Sequence, residues 1–171
     1  MAFIIWGKIP KLTRYTFLQD TREVEDEEAT IVGTTQSSAY IGQSARMLID
    51  GVSIDGKWRW GLGCAHTNNG AVEWFSLELE VPKKVTRVQI ANRVDCCPER
   101  GHNIRISIGS QRYYDPNEPL CLPEIPELSH QPGLKDYMCT GDLHEGKFIK
   151  ISGSGWLNLC EVKVFTLKAE E

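Results

Sequence analysis

Polar and apolar residues alternate one for one in several segments of this chain, and this period of two limits its fold more than any other feature. In the stretch WFSLELEV, apolar Leu77 and Leu79 alternate with polar residues, and NIRISIG alternates three isoleucines with Arg105 and Ser107. The same pattern recurs in VTRVQIAN and GKFIKIS. Successive side chains of a β strand point to opposite faces of the sheet, so each segment is predicted to be a half-buried strand.

Turn residues separate these predicted strands, as in HTNNGA and YYDPNEPLCLPEIPE, and no long segment has the helical period. The final segment, LNLCEVKVFTL, loses its alternation around Cys160 and Glu161, which predicts a β-bulge. There is no internal repeat and no linker. Short strands separated by Gly, Pro and Asn clusters are typical of an antiparallel sandwich or barrel. We therefore expect an all-β fold, an antiparallel β-sandwich in a single domain.

The acidic run TREVEDEEAT, residues 21–30, has no apolar stripe and predicts a solvated arm or loop. We therefore divide the chain into an N-terminal extension over residues 1–33, partly a flexible acidic arm, and a β-sandwich domain over residues 34–171.

Composition and charge argue against several classes of function. The net charge of −4 argues against nucleic-acid binding, since no basic face is needed to explain the arginines. No apolar run approaches the roughly 20 residues that span a bilayer. No serine–histidine–acid set stands out, and the acidic residues show no spacing typical of a glycosidase pair. We expect a protein that is not an enzyme.

The six cysteines indicate the compartment in which the protein works. An even number permits full pairing, and no two cysteines have the C-x-x-C spacing of a zinc knuckle or redox motif. Extracellular disulfides are favoured over six reduced cysteines in the cytosol. The opening MAFIIWGK has an apolar run too short for a signal-peptide core. Either the chain is not secreted by the standard route or its signal is absent from this sequence, and because of the cysteines we expect a secreted protein whose signal is absent.

Two of the cysteines are adjacent, in the stretch RVDCCPER. Neighbouring Cα atoms lie about 3.8 Å apart, which is below the usual disulfide window of roughly 4.4–6.8 Å. A bond between Cys96 and Cys97 would therefore close a tight, strained ring. Such a ring would present a rigid apolar facet to a ligand. The alternative, in which the two cysteines bridge to separate distant partners, stays open.

Hydrogen-bond donors flank this facet. Arg93 and Arg100 are rigid forks of donors, and Asp95 and Glu99 are placed to hold them. A sugar has an apolar ring face and a hydroxylated edge, so it would use both the facet and the donors, with His66 as a third donor. The alternative is that the arginines are ordinary solvated surface charges and that the histidine is inert.

The sequence resembles the F-type lectins, or fucolectins, which bind fucose and have a jelly-roll fold of the discoidin (F5/8) type. The family pattern is a histidine, 26 residues, and then R-x-D-C-C-x-E-R. Here 26 residues separate His66 from Arg93, and RVDCCPER fits without a mismatch. The flanking stretches TTQSSAY, LIDG, GCAHT and LNLCEVKV also agree, so the resemblance covers residues 34–167.

The resemblance implies a role for each matching residue. The three donors to the ring oxygen and hydroxyls of α-L-fucose would be His66, Arg93 and Arg100. The facet under the sugar ring would be Cys96–Cys97, and the pocket for the fucose methyl group would include Tyr40 and Trp60. The other disulfides would be Cys64–Cys160 and Cys121–Cys139.

The resemblance also implies a structural Ca²⁺ close to the sugar site. Its side-chain ligands would be Asp50 and Glu161. Its main-chain carbonyl ligands would be Met47, Val52, Gly63 and Cys160. The sequence departs from the family at two points: Gly63 replaces a serine, and a second IDG at residues 54–56 offers an alternative register.

Together these features predict a secreted, non-catalytic lectin that recognises terminal α-L-fucose on cell-surface glycans, in innate immunity or in cell or gamete adhesion. Several sites on a homo-oligomer or on a larger parent protein would supply avidity. Two alternatives are a discoidin-like adhesion domain that binds protein or lipid, and an accessory carbohydrate-binding module of a glycosidase.

Overall fold

The computed structural model describes residues 12–17, 20–59 and 63–168. It contains ten β strands and two short 3₁₀ helices within these ranges. The first five strands are β1 (Leu12–Phe17), β2 (Asp20–Glu28), β3 (Ile31–Gln36), β4 (Ala65–His66) and β5 (Gly70–Asn92). The others are β6 (His102–Gly109), β7 (Ile125–Glu127), β8 (Lys135–Met138), β9 (Glu145–Gly155) and β10 (Asn158–Leu167). The 3₁₀ helices are Ala45–Leu48 and Pro98–Gly101.

The long strand β5 organises the fold because its two halves pair with different strands. Its first half pairs with β3 and β9, and its second half pairs with β10 and β8. The β5–β9 register shifts between Glu78 and Lys83, on either side of Pro82, which cannot donate a ladder hydrogen bond. The sequence predicted separate strands before and after this point. The structure joins them in one 23-residue strand.

All of these pairings are antiparallel, and the sheet curls on itself around β5 to enclose the core, as the sequence predicted. The core contains the alternating apolar residues of the central strands, including Phe75, Leu77, Ile104, Ile106 and Ile149. The predicted bulge is confirmed, because the register of β10 against β5 shifts between Leu159 and Glu161.

The polar face of β9 is buried, although its alternation predicted an exposed face. Lys150 has no solvent exposure, and its Nζ lies 2.6 Å from both carboxylate oxygens of Glu118. The segment after β6 returns across this face, and Cys121 N donates to the Ile106 carbonyl at 2.8 Å. A buried cation requires a partner, and no sequence pattern indicated that this loop would supply one.

The prediction that the acidic segment is a solvated arm or loop is wrong for residues 20–28, because these residues form strand β2. This strand pairs with both β1 and β10. Its carboxylates meet cations of the sandwich: Asp26 pairs with Arg87, Glu27 with Lys83 and Glu28 with Lys163. Backbone pairing and these ion pairs hold the strand, which explains why no apolar stripe was visible. The division of the chain at residue 33 stays an interpretation. Across the described residues, no helix has the length and apolar character needed to cross a bilayer.

Candidate functional site

A cavity of about 350 Å³ lies at the end of the sandwich where β4 and β5 meet the loops that precede and follow them. Its lining consists of Tyr40, Ile41, Gln43, Trp58, His66, Arg93 and Arg100. The loop that carries Tyr40 is fixed to β4, because Tyr40 N donates to the His66 carbonyl at 2.9 Å. The cavity therefore contains all three donors predicted from the sequence.

Hydrogen bonds determine the protonation of His66. Its Nδ1 lies 2.6 Å from the Thr67 carbonyl oxygen, and its Nε2 lies 2.7 Å from a terminal guanidinium nitrogen of Arg100. A carbonyl only accepts and a guanidinium only donates, so Nδ1 carries the proton and Nε2 accepts. Burial lowers the pKa of His66, and the charges of Arg100 and Arg93 lower it further. The sequence predicted a donor at this position, whereas the ring is arranged as a neutral acceptor.

Arg93 is held in one orientation at the end of β5. Its Nε and one terminal nitrogen donate to the two carboxylate oxygens of Asp95, at 2.8 and 3.4 Å. Its other terminal nitrogen donates to Asn158 Oδ1 at 3.1 Å, and Asn158 donates to the Ala65 carbonyl at 2.7 Å. Burial alone would raise the pKa of Asp95, but the hydrogen bond and charge of Arg93 outweigh it and hold that pKa below its usual range.

Arg100 retains donors for a ligand. It lies on the short helix Pro98–Gly101, whose turn is closed when Arg100 N donates to the Cys97 carbonyl at 3.1 Å. Its Nε is buried and has no hydrogen-bond partner among the described residues. The nearest Glu99 oxygen is 3.8 Å from this Nε, which is beyond hydrogen-bonding distance. A buried donor without a partner is costly, and this nitrogen can meet a ligand oxygen only when the Arg100 side chain shifts toward the cavity.

The charges around the cavity nearly cancel. Arg93 is paired with Asp95, and Arg100 faces Glu99. His66 is neutral because its Nε2 accepts from Arg100. A carboxylate or phosphate ligand would compete with Asp95 and Glu99 for the same guanidinium groups. The arrangement therefore favours a neutral ligand that is rich in hydrogen-bonding oxygens.

Aromatic side chains that the sequence did not predict contribute to this region. Trp156 meets Tyr40 and His66 edge-on, with ring centroids 4.9 and 5.3 Å apart, and the guanidinium of Arg100 lies 5.6 Å from its ring. The guanidinium of Arg93 lies 5.2 Å from the Trp58 ring. The position of Trp156 just after the turn-forming Gly155 was the one local signal that could have identified it.

Ile41, which the sequence also did not predict, is the most exposed apolar residue of the cavity. It is 74% exposed and has a φ of +50°. A β-branched residue rarely takes a positive φ, because its side chain crowds the backbone there. Strain of this kind is concentrated at functional sites, and here it places an apolar side chain at the rim of the cavity.

The adjacent cysteines form the bond that the resemblance implied. Cys96 and Cys97 are disulfide-bonded and half-buried, and Cys97 has a left-handed backbone with a φ of +62°. They lie in the chain between the two arginines but are not part of the cavity lining. The role of Cys96–Cys97 as a facet under a sugar stays a prediction. The expectation for Trp60 falls outside the described residues.

The other two disulfides are also the pairs that the resemblance implied. Cys64 is bonded to Cys160, and Cys121 is bonded to Cys139. The first bond ties the segment before His66 to β10, which also carries Asn158. This cross-link therefore holds together the two sides of the site.

Comparisons with known proteins place this chain in a family. The profile of a family described as a NedA-like, galactose-binding domain matches residues 52–121. Fucolectin-6 from Anguilla japonica is 30% identical over 150 residues, which cover 84% of this chain and 77% of that protein. The chain belongs to the fucolectin, or F-type lectin, family.

Other similar proteins and solved structures differ in how much of their own length this chain covers. A pentraxin fusion protein of Xenopus laevis is 30% identical over 138 residues, covering 78% of this chain but 32% of that protein. Among solved structures, a fucolectin from the serum of striped bass, Morone saxatilis, has a TM-score of 0.70 at 24% identity and covers 88% of this chain and 52% of that one. A fucose binding module of Streptococcus pneumoniae has a TM-score of 0.61 at 26% identity, covering 82% and 96%.

A second polar cavity lies beside the residues expected to bind calcium in this member of the family. It measures about 520 Å³, and its lining includes Asp50, Gly51 and Glu161. Glu161 is buried and accepts one hydrogen bond, from Gly51 N at 3.0 Å. Burial raises the pKa of Glu161 to about 7, and the nearby charge of Asp50 adds to the effect.

The structure also bears on the two departures from the family in this loop. Gly63 has a φ of +88°, and a Cβ there would lie 1.9 Å from Ser53 Oγ, so a serine at this position would be strained and would force Ser53 to move. Asp55, from the second IDG, is paired with Arg59 at 2.9 Å, and this hydrogen bond holds the pKa of Asp55 at about 2. Asp50 lies in the same cavity as Glu161, whereas Asp55 forms its ion pair with Arg59. The four expected main-chain carbonyl ligands stay predictions: Met47, Val52, Gly63 and Cys160.

Proposed function

We propose that this protein is a non-catalytic lectin that binds terminal α-L-fucose on glycans, in the cavity between Arg93, Arg100 and His66. The observation that carries the proposal is the convergence of these three polar side chains in one cavity with apolar walls. Its volume of about 350 Å³ lies at the lower end of small-molecule sites, roughly 300–1,000 Å³.

The chemistry of fucose matches the arrangement of the cavity. Hydroxyl oxygens of a sugar can accept from the guanidinium of Arg100, whose Nε lacks another partner among the described residues and becomes reachable when the side chain shifts toward the cavity. A sugar hydroxyl can donate to Nε2 of His66 if it displaces the Arg100 contact. Fucose also carries a methyl group and apolar ring carbons, which would pack against Tyr40, Ile41 and Trp58.

The relatives support this ligand over the alternatives. Fucolectin-6, the striped bass fucolectin and the streptococcal fucose binding module are described by their names as lectins or binding modules. The adhesion-domain and glycosidase-module alternatives are not favoured. Affinity per site is expected to be modest because hydroxyl hydrogen bonds replace similar bonds to water. Several sites on an oligomer or a larger parent protein would then give avidity on fucosylated cell surfaces.

The cysteines support a location outside the cell. The six cysteines form three disulfides, and none of them is a free thiol. Disulfides persist in oxidising compartments and are rare in the cytosol. We therefore include secretion in the proposal.

The proposal also includes a structural Ca²⁺ held by Asp50 and Glu161. A buried carboxylate requires a counter-charge, and Glu161 has no ion pair among the described residues while a second carboxylate lies nearby. Calcium prefers oxygen ligands and would supply that charge. Its expected effect is to fix the loop of Asp50 against β10, which carries Cys160 and Asn158.

Isothermal calorimetry with methyl α-L-fucoside tests the proposal. Removing a charged hydrogen-bonding group costs about 1.5–3 kcal/mol, so Arg100→Ala should lower the affinity at least tenfold. Arg105→Ala, which removes an arginine on β6 outside the cavity, is the matched control and should bind as the wild type does. D-Glucose should give no heat of binding. Equal affinity in wild type and Arg100→Ala would contradict the proposal.

A further inference from the structure

Three potential metal ligands meet on the surface next to the helix that carries Arg100. His102 begins β6, Glu127 ends β7, and His130 follows in the next turn. One ligand atom from each lies within 4.8 Å of the other two. Oε1 of Glu127 is 3.5 Å from Nε2 of His102 and 3.3 Å from Nε2 of His130. None of these residues lines the sugar cavity or the proposed calcium site.

The distances in this cluster fit a metal better than a hydrogen-bond network. Neither histidine forms a hydrogen bond with Glu127, and Nε2 of His130 is buried without a hydrogen-bond partner among the described residues. Around a tetrahedral Zn²⁺ with ligands at about 2.0–2.2 Å, neighbouring ligand atoms lie roughly 3.3–3.5 Å apart. The two nitrogen–oxygen distances therefore fit the edges of such a tetrahedron.

The backbone that carries the three ligands is well supported. His102 and Glu127 are directly paired across the β6–β7 ladder. Leu128 is fully buried, and its N donates to the Gly101 carbonyl at 2.7 Å. Ser129 N donates to the hydroxyl of Tyr137 at 3.0 Å. Ligands on rigid elements lose little freedom when the metal binds, so the site is largely preorganised.

We propose that His102, Glu127 and His130 bind one Zn²⁺, with a water molecule as the fourth ligand. Two imidazoles and one carboxylate suit zinc, whereas calcium requires six to eight oxygen ligands. The site is separate from the fucose site and from the calcium site. Because His102 directly follows the helix Pro98–Gly101, the zinc would tie the C-terminal end of that helix to β7.

Calorimetry with ZnCl₂ on metal-free protein, prepared without a histidine tag, tests the proposal. We expect one Zn²⁺ per chain, an affinity at least tenfold lower in both Glu127→Gln and His130→Ala, and no change in His144→Ala, which removes a histidine outside the cluster. The protein loaded with Co²⁺ should show the visible absorption typical of tetrahedral coordination, and excess Ca²⁺ should not displace the metal.

Melting temperatures in EDTA identify any variant that fails to fold, and Glu127→Gln preserves the size of the side chain. Failure of the wild type to bind Zn²⁺ would overturn the proposal and leave the cluster as an ordinary surface ion pair. Zinc binding of equal strength in wild type, Glu127→Gln and His130→Ala would also overturn it, because the metal would then bind elsewhere.

Discussion

The protonation of His66 decides what the cavity can offer a ligand. Its Nδ1–H donates to the Thr67 carbonyl, so its Nε2 remains an acceptor. The sequence identified the residue but could not identify its role, because the role depends on a backbone carbonyl and on Arg100, 34 positions away. The same ring in water could donate or accept from either nitrogen.

The lowered pKa of His66 predicts how fucose affinity depends on pH. Its folded pKa lies below the ordinary value of about 6.5, so the ring stays neutral above that pH. We expect the fucose Kd to be constant from pH 8 to about 6.5 and to rise only at lower pH, where protonation removes the Nε2 acceptor next to Arg100. The free energy of unfolding should also decrease on acidification. A histidine with a lowered pKa in the folded state stabilises the fold fully above pH 6.5, and this contribution is lost as the pH falls from 6.5 through the folded pKa.

Calorimetry in calcium-containing buffer at several pH values measures this dependence. His66→Gln, which keeps a neutral side chain, should weaken fucose binding at neutral pH and remove the rise of the Kd below about pH 6.5. His144→Gln should leave that rise unchanged. Tighter binding on acidification would contradict the assigned protonation of His66.

The residues of the cavity that the sequence could predict are the two arginines within the continuous motif RVDCCPER, the histidine at a fixed spacing before it, and Tyr40 in the matching stretch TTQSSAY. Trp58, Trp156 and Asn158 were missed. Asn158 reaches Arg93 because β10 pairs with β4 and β5. Such a contact depends on strand register, and periodicity within one segment contains no information about the register of another.

At the scale of elements, β2 shows where hydrophobic patterning fails. Alternation identified the central strands correctly because one face of each is buried in the core. β2 gains its place from backbone pairing with β10 and from charge pairs, including the nearly buried pair of Asp26 with Arg87. A strand of this kind looks like a solvated charged segment when its partners are unknown.

Asp26→Ala should therefore destabilise the whole domain. Breaking a buried pair by removing one partner costs about 3–5 kcal/mol. Because Arg87 keeps its contact with Asp136, we expect the free energy of unfolding measured in urea to fall by an amount near the lower end of this range, about 3 kcal/mol. Glu25→Ala, which removes an exposed partner of Lys168, is the control and should change stability by about 0.5 kcal/mol or less. Similar stabilities of the two variants would show that β2 contributes little to the fold.

At the scale of the whole molecule, β10 connects the two proposed binding regions. Asn158 orients Arg93, Cys160 is bonded to Cys64, and Glu161 lies against the loop of Asp50. We therefore expect a change at the proposed calcium site to reach the proposed sugar site through one strand. The resemblance implied the pairing of Cys64 with Cys160, but the contact of Asn158 with Arg93 required the structure.

Glu161→Gln should change the stability of the protein in opposite directions with and without calcium. In EDTA the variant should be at least as stable as the wild type, because it removes a buried carboxylate without an ion pair among the described residues. With calcium at 100 times its Kd, the wild type should gain about 2.7 kcal/mol and become the more stable protein. Thermal melts in both buffers measure the crossover, and a wild-type melting temperature that is unaffected by calcium would contradict the calcium proposal.

An ¹H–¹⁵N NMR titration of the tryptophan indole signals with L-fucose tests most directly whether this cavity binds fucose. We expect the signals of Trp58 and Trp156 to shift and saturate, while the signal of Trp74, whose ring packs on Tyr113 away from the cavity, does not move. D-Glucose should shift none of these three. Saturable shifts of Trp74 alone, or no shift of Trp58 and Trp156 at millimolar fucose, would contradict the assignment of this cavity as the fucose site.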